Sequence, residues 1–296
     1  MNWTDLDWAA LDRLREKFLH GGAAAGPYWE SESYLAAYDA TYGERIGWKW
    51  DHVLRELRLH GWRPSAREIV DWGCGSGVAG RRVLGAFPSL RCLTAFDHSR
   101  HAVAFARERA AAAFPRVEVS GVHAPPALDG AMVVLSHVVN ELAPRAVDAL
   151  VSGLRRAAVI LWVEPGTHEA GRRLQALRER LKGGFDVIAP CPHQQACPLL
   201  APGNERHWCH HFAVPPAHVF TDGHWVRFAR RAGIDLRSLP HAYLAMQARM
   251  PGAVPLAPRS QARGIGRPRA ADERTHGMAC LPEGVAEMAR PGGRER

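Results

Sequence analysis

The stretch that most constrains this chain is Asp71-x-Gly73-x-Gly75-x-Gly77. It follows a short apolar run, Glu68-Ile69-Val70-Asp71-Trp72, and leads into a segment with Val78, Val83 and Leu84 at helical spacing. Glycines between a strand and a helix permit a tight turn and let a ligand approach the backbone closely. The helix start beyond them offers unpaired N–H groups to an anion or a polar ligand. A second apolar run, Cys92-Leu93-Thr94-Ala95-Phe96, ends at Asp97, twenty residues after Gly77. A carboxylate there can accept hydrogen bonds from both ribose hydroxyls of an adenosine. A glycine loop alone is weak evidence, but strand, loop, helix, strand and acid in this order is the context such a motif requires.

The same alternation continues. Ser99 can cap a helix over 100–113. Strands are predicted over 117–119, 131–135 and 158–163, with a helix after Pro144 between the last two. The near-continuous apolar character of these strands implies a parallel sheet covered on both faces. A helix over 167–182 follows, with Leu174, Leu177 and Leu181 on one face and Arg172, Arg173, Arg178, Arg180 and Lys182 elsewhere.

Residues 1–65 read as helical, from Leu11, Leu14 and Phe18, then Tyr34, Tyr38 and Tyr42. Gly21-Gly22 and Gly26-Pro27 separate the helical stretches, and Trp48 and Trp50 precede Val53, Leu54, Leu57 and Leu59. These helices are expected to cap a sheet edge. Residues 183–216 are rich in Pro, Gly, His and Cys, and a metal or cluster would help order them. Regular structure resumes with a helix ending at Gly233 and a strand over 243–246. The resulting division is a helical region 1–65, a core 66–182, a Cys-rich insert 183–216, the remainder of the core sheet 217–250 and an Arg-rich segment 251–296 whose last dozen residues look frayed. That last segment carries Arg259, Arg263, Arg267, Arg269 and Arg274.

A formal net charge of +8 favours an anionic partner such as nucleic acid, although Arg-rich coding with Lys at only 17, 49 and 182 also raises the balance. The longest apolar run, Ala157 to Val163, is too short to span a bilayer. Asp5 and Asp7 with no early basic residue disfavour a leader peptide. A cytoplasmic monomer without membrane contact is expected.

The six Cys divide into two groups. Cys74 and Cys92 suit ordinary buried thiols. Cys191-Pro-His193-x-x-x-Cys197-Pro and Trp208-Cys209-His210-His211 look like a ligand set in a segment too polar for a plain core. The fourth ligand is a local His or the distant Cys280. Three Cys and a His suit zinc, and four Cys suit zinc or an iron–sulfur cluster. His137, Asn140 and Glu141 follow the fourth strand, where reactive groups are often placed, but no catalytic base can be named.

The Asp-x-Gly-x-Gly-x-Gly form resembles class I S-adenosylmethionine-dependent methyltransferases more than dinucleotide dehydrogenases. The resemblance places Asp71 toward the methionine end and Asp97 at the ribose. The wider order of motifs resembles the mitochondrial small-ribosomal-subunit protein family that includes methyltransferase-like protein 17 and bacterial relatives. The shared blocks are Val70 to Gly77, Ser136 to Leu142, Val163 to Thr167, Ala189 to His193, Trp208 to His210, Gly266 to Arg269 and Cys280 to Gly284. The resemblance implies an α/β, class I methyltransferase Rossmann-like sheet with a helical N-terminal region and a cluster-bearing insert. It implies S-adenosylmethionine at Asp71, Gly73, Gly75, Gly77, Asp97 and His137. It also implies a [4Fe–4S] cluster, with zinc as the alternative, on Cys191, Cys197, Cys209 and Cys280, and association with small-subunit ribosomal RNA. Three functions follow: an RNA methyltransferase, a ribosome assembly factor without turnover, or a zinc-containing methyltransferase of another substrate.

Overall fold

The computed structural model describes residues 3, 6–19, 29–250, 252, 262–271 and 274–291. The glycines at 21, 22 and 26, Pro27 and Arg259 lie outside these residues.

In chain order the elements are α1 (Trp8–Leu19), α2 (Glu32–Tyr38), α3 (Glu44–Leu59), β1 (Glu68–Trp72), α4 (Val78–Ala86), β2 (Cys92–Phe96), α5 (Arg100–Ala113), β3 (Glu118–Val122) and β4 (Met132–Ser136). There follow α6 (Pro144–Leu154), β5 (Val159–Pro165), α7 (His168–Leu181), β6 (Phe185–Ala189), β7 (His211–Phe212), α8 (Gly223–Ala232) and β8 (Pro240–Ala248). The chain ends with β9 (Arg263–Ala271), β10 (Arg274–Leu281) and β11 (Gly284–Pro291). A π-helical turn at Asp39–Gly43 joins α2 to α3.

The main sheet runs β3-β2-β1-β4-β5-β8-β6, with β7 also paired to β8. The pairs from β3 to β5 are parallel. Strand β8 runs antiparallel to both β5 and β6. The sheet is therefore mixed rather than wholly parallel. The order reverses at β1, between β2 and β4, and open α/β sheets bind ligands in the crevice at such a point.

Both sheet faces are covered, and the strand residues show it. On β1 and β4, Ile69, Met132 and Val134 pack with Trp50, Leu57 and Val83 of α3 and α4. Their alternate neighbours Val70, Val133 and Leu135 pack with Leu150 of α6 and Leu174 and Leu177 of α7. A side-chain period of two directs successive apolar residues to opposite layers, which is why these strands read as unbroken apolar runs. The N-terminal helices pack over α5 through Leu14, Tyr34, Leu35 and Phe105. They meet α8 through Leu11, Trp225 and Phe228.

The sequence-based division shifts in two places. Residues 185–189 belong to the core sheet as β6, so the irregular insert starts only at Pro190. The Gln194 side chain completes the pairing of β6: Val187 N donates to its Oε1 (2.8 Å) and its Nε2 donates to Val187 O (2.9 Å). The C-terminal segment forms a separate antiparallel sheet, β11-β10-β9, so residues 284–291 are strand rather than frayed chain.

Candidate functional site

The glycine loop adopts the backbone its composition allows. Gly73, Gly75 and Gly77 have φ of 73°, 50° and 73°. At Gly77 a Cβ would lie 2.7 Å from Ala106 Cβ and 3.0 Å from Ala106 Cα, so this glycine lets α4 start hard against α5. Gly73 N and Cys74 N donate to Phe96 O at 2.8 and 2.9 Å, which ties the loop to the end of β2.

Asp71 and Asp97 brace this loop from two sides. Asp71 is buried, and Gly80 N donates to its Oδ2 at 3.0 Å. Its Oδ1 is buried without a partner. Burial pushes its carboxyl up to about 7. Asp97 accepts from Gly75 N through Oδ2 (3.0 Å) and from Ser99 N through Oδ1 (2.9 Å). Burial raises its carboxyl as well, against these backbone donors. Each carboxylate oxygen has two lone pairs, so both retain acceptor capacity toward the cleft.

Gly73, Gly75, Asp97 and His137 line one cleft of about 760 Å³, together with Trp29, Tyr38 and Lys49. Its size falls in the range of small-molecule sites. Asp71 lies beneath the loop rather than among the lining residues. His137 adopts a positive φ of 59°, the only such residue other than glycine among those described. Its N donates to Val163 O at 2.9 Å. Its Nε2 lies 3.5 Å from Lys49 Nζ. Burial, then the Lys49 charge, holds the imidazole neutral. Burial also brings the Lys49 ammonium down to about 7, with Arg45 acting the same way.

Glu164 fixes the turn that carries His137. Its Oε1 accepts from Val138 N (3.0 Å), Val139 N (2.9 Å) and Trp162 Nε1 (2.6 Å). Its Oε2 is buried without a partner. Burial outweighs the three donors and raises this carboxyl to about 7. Sequence reasoning assigned neither Lys49 nor Glu164 to the cleft. The available signal for Lys49 was a rare lysine set between Trp48 and Trp50.

Cys191, Cys197, Cys209 and Cys280 line a second cavity, walled by α7, β8 and β9. Cys280 reaches it because β10 pairs with β9 in the register Cys280↔Arg263. Two cations share the wall, Arg178 and Arg263. Arg178 is 2% exposed and donates to His193 O (3.2 Å) and Gln195 O (2.9 Å), with its Nε unpartnered. Arg263 donates to Glu56 Oε2 (2.9 Å) and Tyr243 Oη (3.4 Å). Burial raises the Cys197 and Cys209 thiols, and it lifts Cys280 to about 12.

Among the described residues no group of three or more His, Cys, Asp or Glu is drawn close enough to hold a metal ion. A tetrahedral zinc with bonds of about 2.3 Å needs its sulfurs within about 4 Å of one another. The thiols share a cavity without that closure. Four thiols and two guanidiniums suit an anionic group larger than one ion. Cys74 is buried under the glycine loop, while Cys92 is only half-buried at the start of β2.

The basic residues of α7 are engaged by neighbouring groups. Arg172 Nη1 donates to the carbonyls of Leu199 (2.8 Å), Asn204 (3.1 Å) and His207 (3.0 Å). Arg173 turns to Asn140 and Leu142, and Arg180 pairs with Asp148. Lys182 pairs with Glu179. This helix organises the Cys-rich segment.

Among solved structures, magnesium protoporphyrin IX methyltransferase from Synechocystis PCC 6803 with bound SAH is 14% identical, with a TM-score of 0.43 over 69% of this chain and 84% of that one. A SAM-dependent methyltransferase from Leishmania major is 12% identical, with a TM-score of 0.46 over 77% of this chain and 82% of that one. No curated protein matches in sequence. Among the described residues no helix is long and apolar enough to cross a membrane. The model of the family described as mitochondrial small ribosomal subunit Rsm22 matches residues 51–231, which hold the glycine loop, Asp97, His137 and three of the four clustered cysteines. Matched over more than half of its length, the chain belongs to the mitochondrial small ribosomal subunit Rsm22 family.

Proposed function

We propose that this protein binds S-adenosylmethionine in the cleft at the carboxyl ends of β1, β2 and β4, and acts on small-subunit ribosomal RNA as a methyltransferase. Cys191, Cys197, Cys209 and Cys280 would hold a [4Fe–4S] cluster in the neighbouring cavity. The observation that carries the reading is Asp97, which directly follows β2 and lines the same cleft as Gly73 and Gly75 with acceptor capacity to spare. Family membership supports the small ribosomal subunit as partner. The compartment is that of the subunit it meets, either the cytoplasm or the mitochondrion named in the family description.

When bound, S-adenosylmethionine supplies an electrophilic methyl group on a sulfonium. Asp97 would take the ribose hydroxyls. Gly73 and Gly75 leave room for the cofactor to lie against the backbone. The Lys49–His137 pair stands where a neutral imidazole or amine can accept a proton from an attacking group. Orientation of the nucleophile supplies much of the remaining rate. Arg178 and Arg263 offset the negative charge of four thiolates in the second cavity.

Equilibrium dialysis with labelled S-adenosylmethionine tests the cofactor. Wild type should bind it, and Asp97→Ala should lose at least tenfold in affinity. No binding by wild type refutes the reading. Iron, sulfide and zinc analysis after anaerobic purification tests the cluster. Labelled methyl transfer to small-subunit RNA separates the methyltransferase from an assembly factor that binds without turnover.

A further inference from the structure

The thiol cavity holds hydrogen-bond donors that the protein itself leaves unused. Gln175 of α7 is buried and lines the cavity, and neither its Nε2 nor its Oε1 has a partner. Arg178, three residues on, lines it as well with Nε unpartnered. A buried amide left bare costs about 1–3 kcal/mol, and such a group in a native fold calls for a reason. Packing alone supplies none, because Leu174 and Leu177 beside Gln175 belong to an apolar layer.

Two imidazoles approach the sulfurs from behind. His211 Nε2 lies 3.5 Å from Cys209 Sγ, and His193 Nε2 lies 3.7 Å from Cys280 Sγ. Both rings are buried, and neither lines the cavity, whereas all four cysteines do. That placement suits a donor to the sulfur better than a ligand inside the cavity. A thiolate can only accept, so beside one each ring carries its proton on Nε2. The backbone holds both residues in place. His211 pairs with His241 across β7 and β8, and His193 O accepts from Arg178 Nη2 at 3.2 Å.

We infer that Gln175, His193 and His211 form a shell of N–H donors around the thiolate-bound centre, acting as positioning residues that raise its reduction potential and slow its loss. The inference rests on the proposed reading that the four cysteines hold a [4Fe–4S] cluster, and it assigns residues beyond that ligand set. One-electron reduction adds negative charge that spreads over the sulfurs. Donors aimed at them favour the reduced form and also keep the ligands oriented. The imidazoles serve Cys209 and Cys280, while the Arg178 charge acts on Cys191 and Cys197.

The test uses the full-length chain, purified anaerobically, with iron and sulfide counted per chain. Titration with dithionite, read by electron paramagnetic resonance, gives the midpoint potential. Gln175→Leu exchanges the bare amide for an apolar side chain of similar size in an apolar layer, so it should fold and load as wild type does. It should lower the reduced-to-oxidised ratio at a given potential by roughly tenfold, which is about 59 mV for one electron. His193→Leu and His211→Leu should shift the midpoint the same way and weaken iron retention against a ferrous chelator by about 10- to 100-fold. His211→Gln keeps an N–H and should recover most of the shift. Where a histidine variant does not fold, wild type with isotopically labelled histidine decides, since electron–nuclear double resonance of the reduced centre should show weak imidazole couplings. Loaded wild type without those couplings, or Gln175→Leu at the wild-type midpoint, overturns the inference and leaves the ligand set standing. Wild type without iron and sulfide overturns both.

Discussion

Glu164→Gln provides a direct test of how burial and hydrogen bonding compete at the floor of the cleft. The carboxyl is 0% exposed and accepts three N–H donors through one oxygen while the other is left bare. Donors favour the ionised form, and burial favours the neutral form. Burial wins, and the carboxyl stands at about 7 against an ordinary 4.5. Its folded value is raised, so the folded state holds a proton that the unfolded state has released between those two pH values. Stability from this group is then fully present below about 4.5, falls as pH rises toward 7, and levels off above. That interval corresponds to about 3 kcal/mol. Glutamine keeps the acceptor oxygen and cannot ionise. The stability difference between Glu164→Gln and wild type should therefore move by about 3 kcal/mol in favour of the variant from acid to weakly alkaline buffer. Urea unfolding of both proteins across that range, followed by tryptophan fluorescence, reads the difference. Groups common to both proteins cancel. A difference that stays flat with pH would refute the claim that burial dominates, because the carboxyl would then ionise in the folded state as it does in the unfolded chain.

Gly77→Ala should cost about 2–4 kcal/mol by chemical denaturation, because a left-handed backbone costs about 1–2 kcal/mol and the new methyl meets Ala106 at 2.7 Å. Arg178→Met should cost about 3–5 kcal/mol and loosen residues 190–197 in hydrogen exchange, since Glu179 and two carbonyls lose a buried cationic partner; unchanged protection there would show that the guanidinium is dispensable. Cys280→Ser should lower bound iron and sulfide and make β9–β11 the first site of limited proteolysis, with the β1–β5 core intact. Metal content equal to wild type would remove Cys280 from the proposed ligand set.

The elements of the fold legible in the sequence are those fixed locally. Ser99 caps α5, and its side chain accepts from Ala102 N as an N-cap should. The predicted bounds of that helix and of β1 and β2 match because a capping residue and the glycine loop mark their ends. Strand β6 was hidden. Phe185 to Ala189 sits between Gly183-Gly184 and Pro190, and it becomes a strand only by pairing with β8, some sixty residues later. The C-terminal sheet was hidden for a similar reason: its Gly, Pro and Arg residues show no alternation, and β9 is anchored by Gly266 N on His210 O. The partners of Arg172 were not legible because spacing along a helix reveals its faces and not the carbonyls that fold back over them. At the cleft, Asp97 was legible from its distance to the glycines. The positive φ of His137 belongs to a turn bonded by the distant Glu164, and its approach to Lys49 brings together residues 88 positions apart, so neither could be read from local spacing.

Helix α3 also links the two sites. Lys49 reaches the cleft beside His137, and Glu56 accepts from Arg263 in the wall of the thiol cavity. Between them, His52 Nδ1 lies 3.0 Å from Nε2 of the fully buried His241. His241 Nδ1 donates to Leu239 O (3.3 Å), which leaves Nε2 as the acceptor and makes His52 the donor. Burial, then the charge of His52, keeps His241 neutral down to about 3, so this bond holds throughout the neutral range. A rigid helix fastened at the cleft, at β8 and at the cavity wall resists independent movement of the two sites. Loss of the Arg263 contact would detach β9 from α3, while Leu57 in the core and Trp50, bonded to Ser136 Oγ at 3.0 Å, still hold the helix. Structural coupling between the sites should therefore depend on the Glu56–Arg263 pair, since it is the contact that binds α3 to the segment delivering the last cysteine.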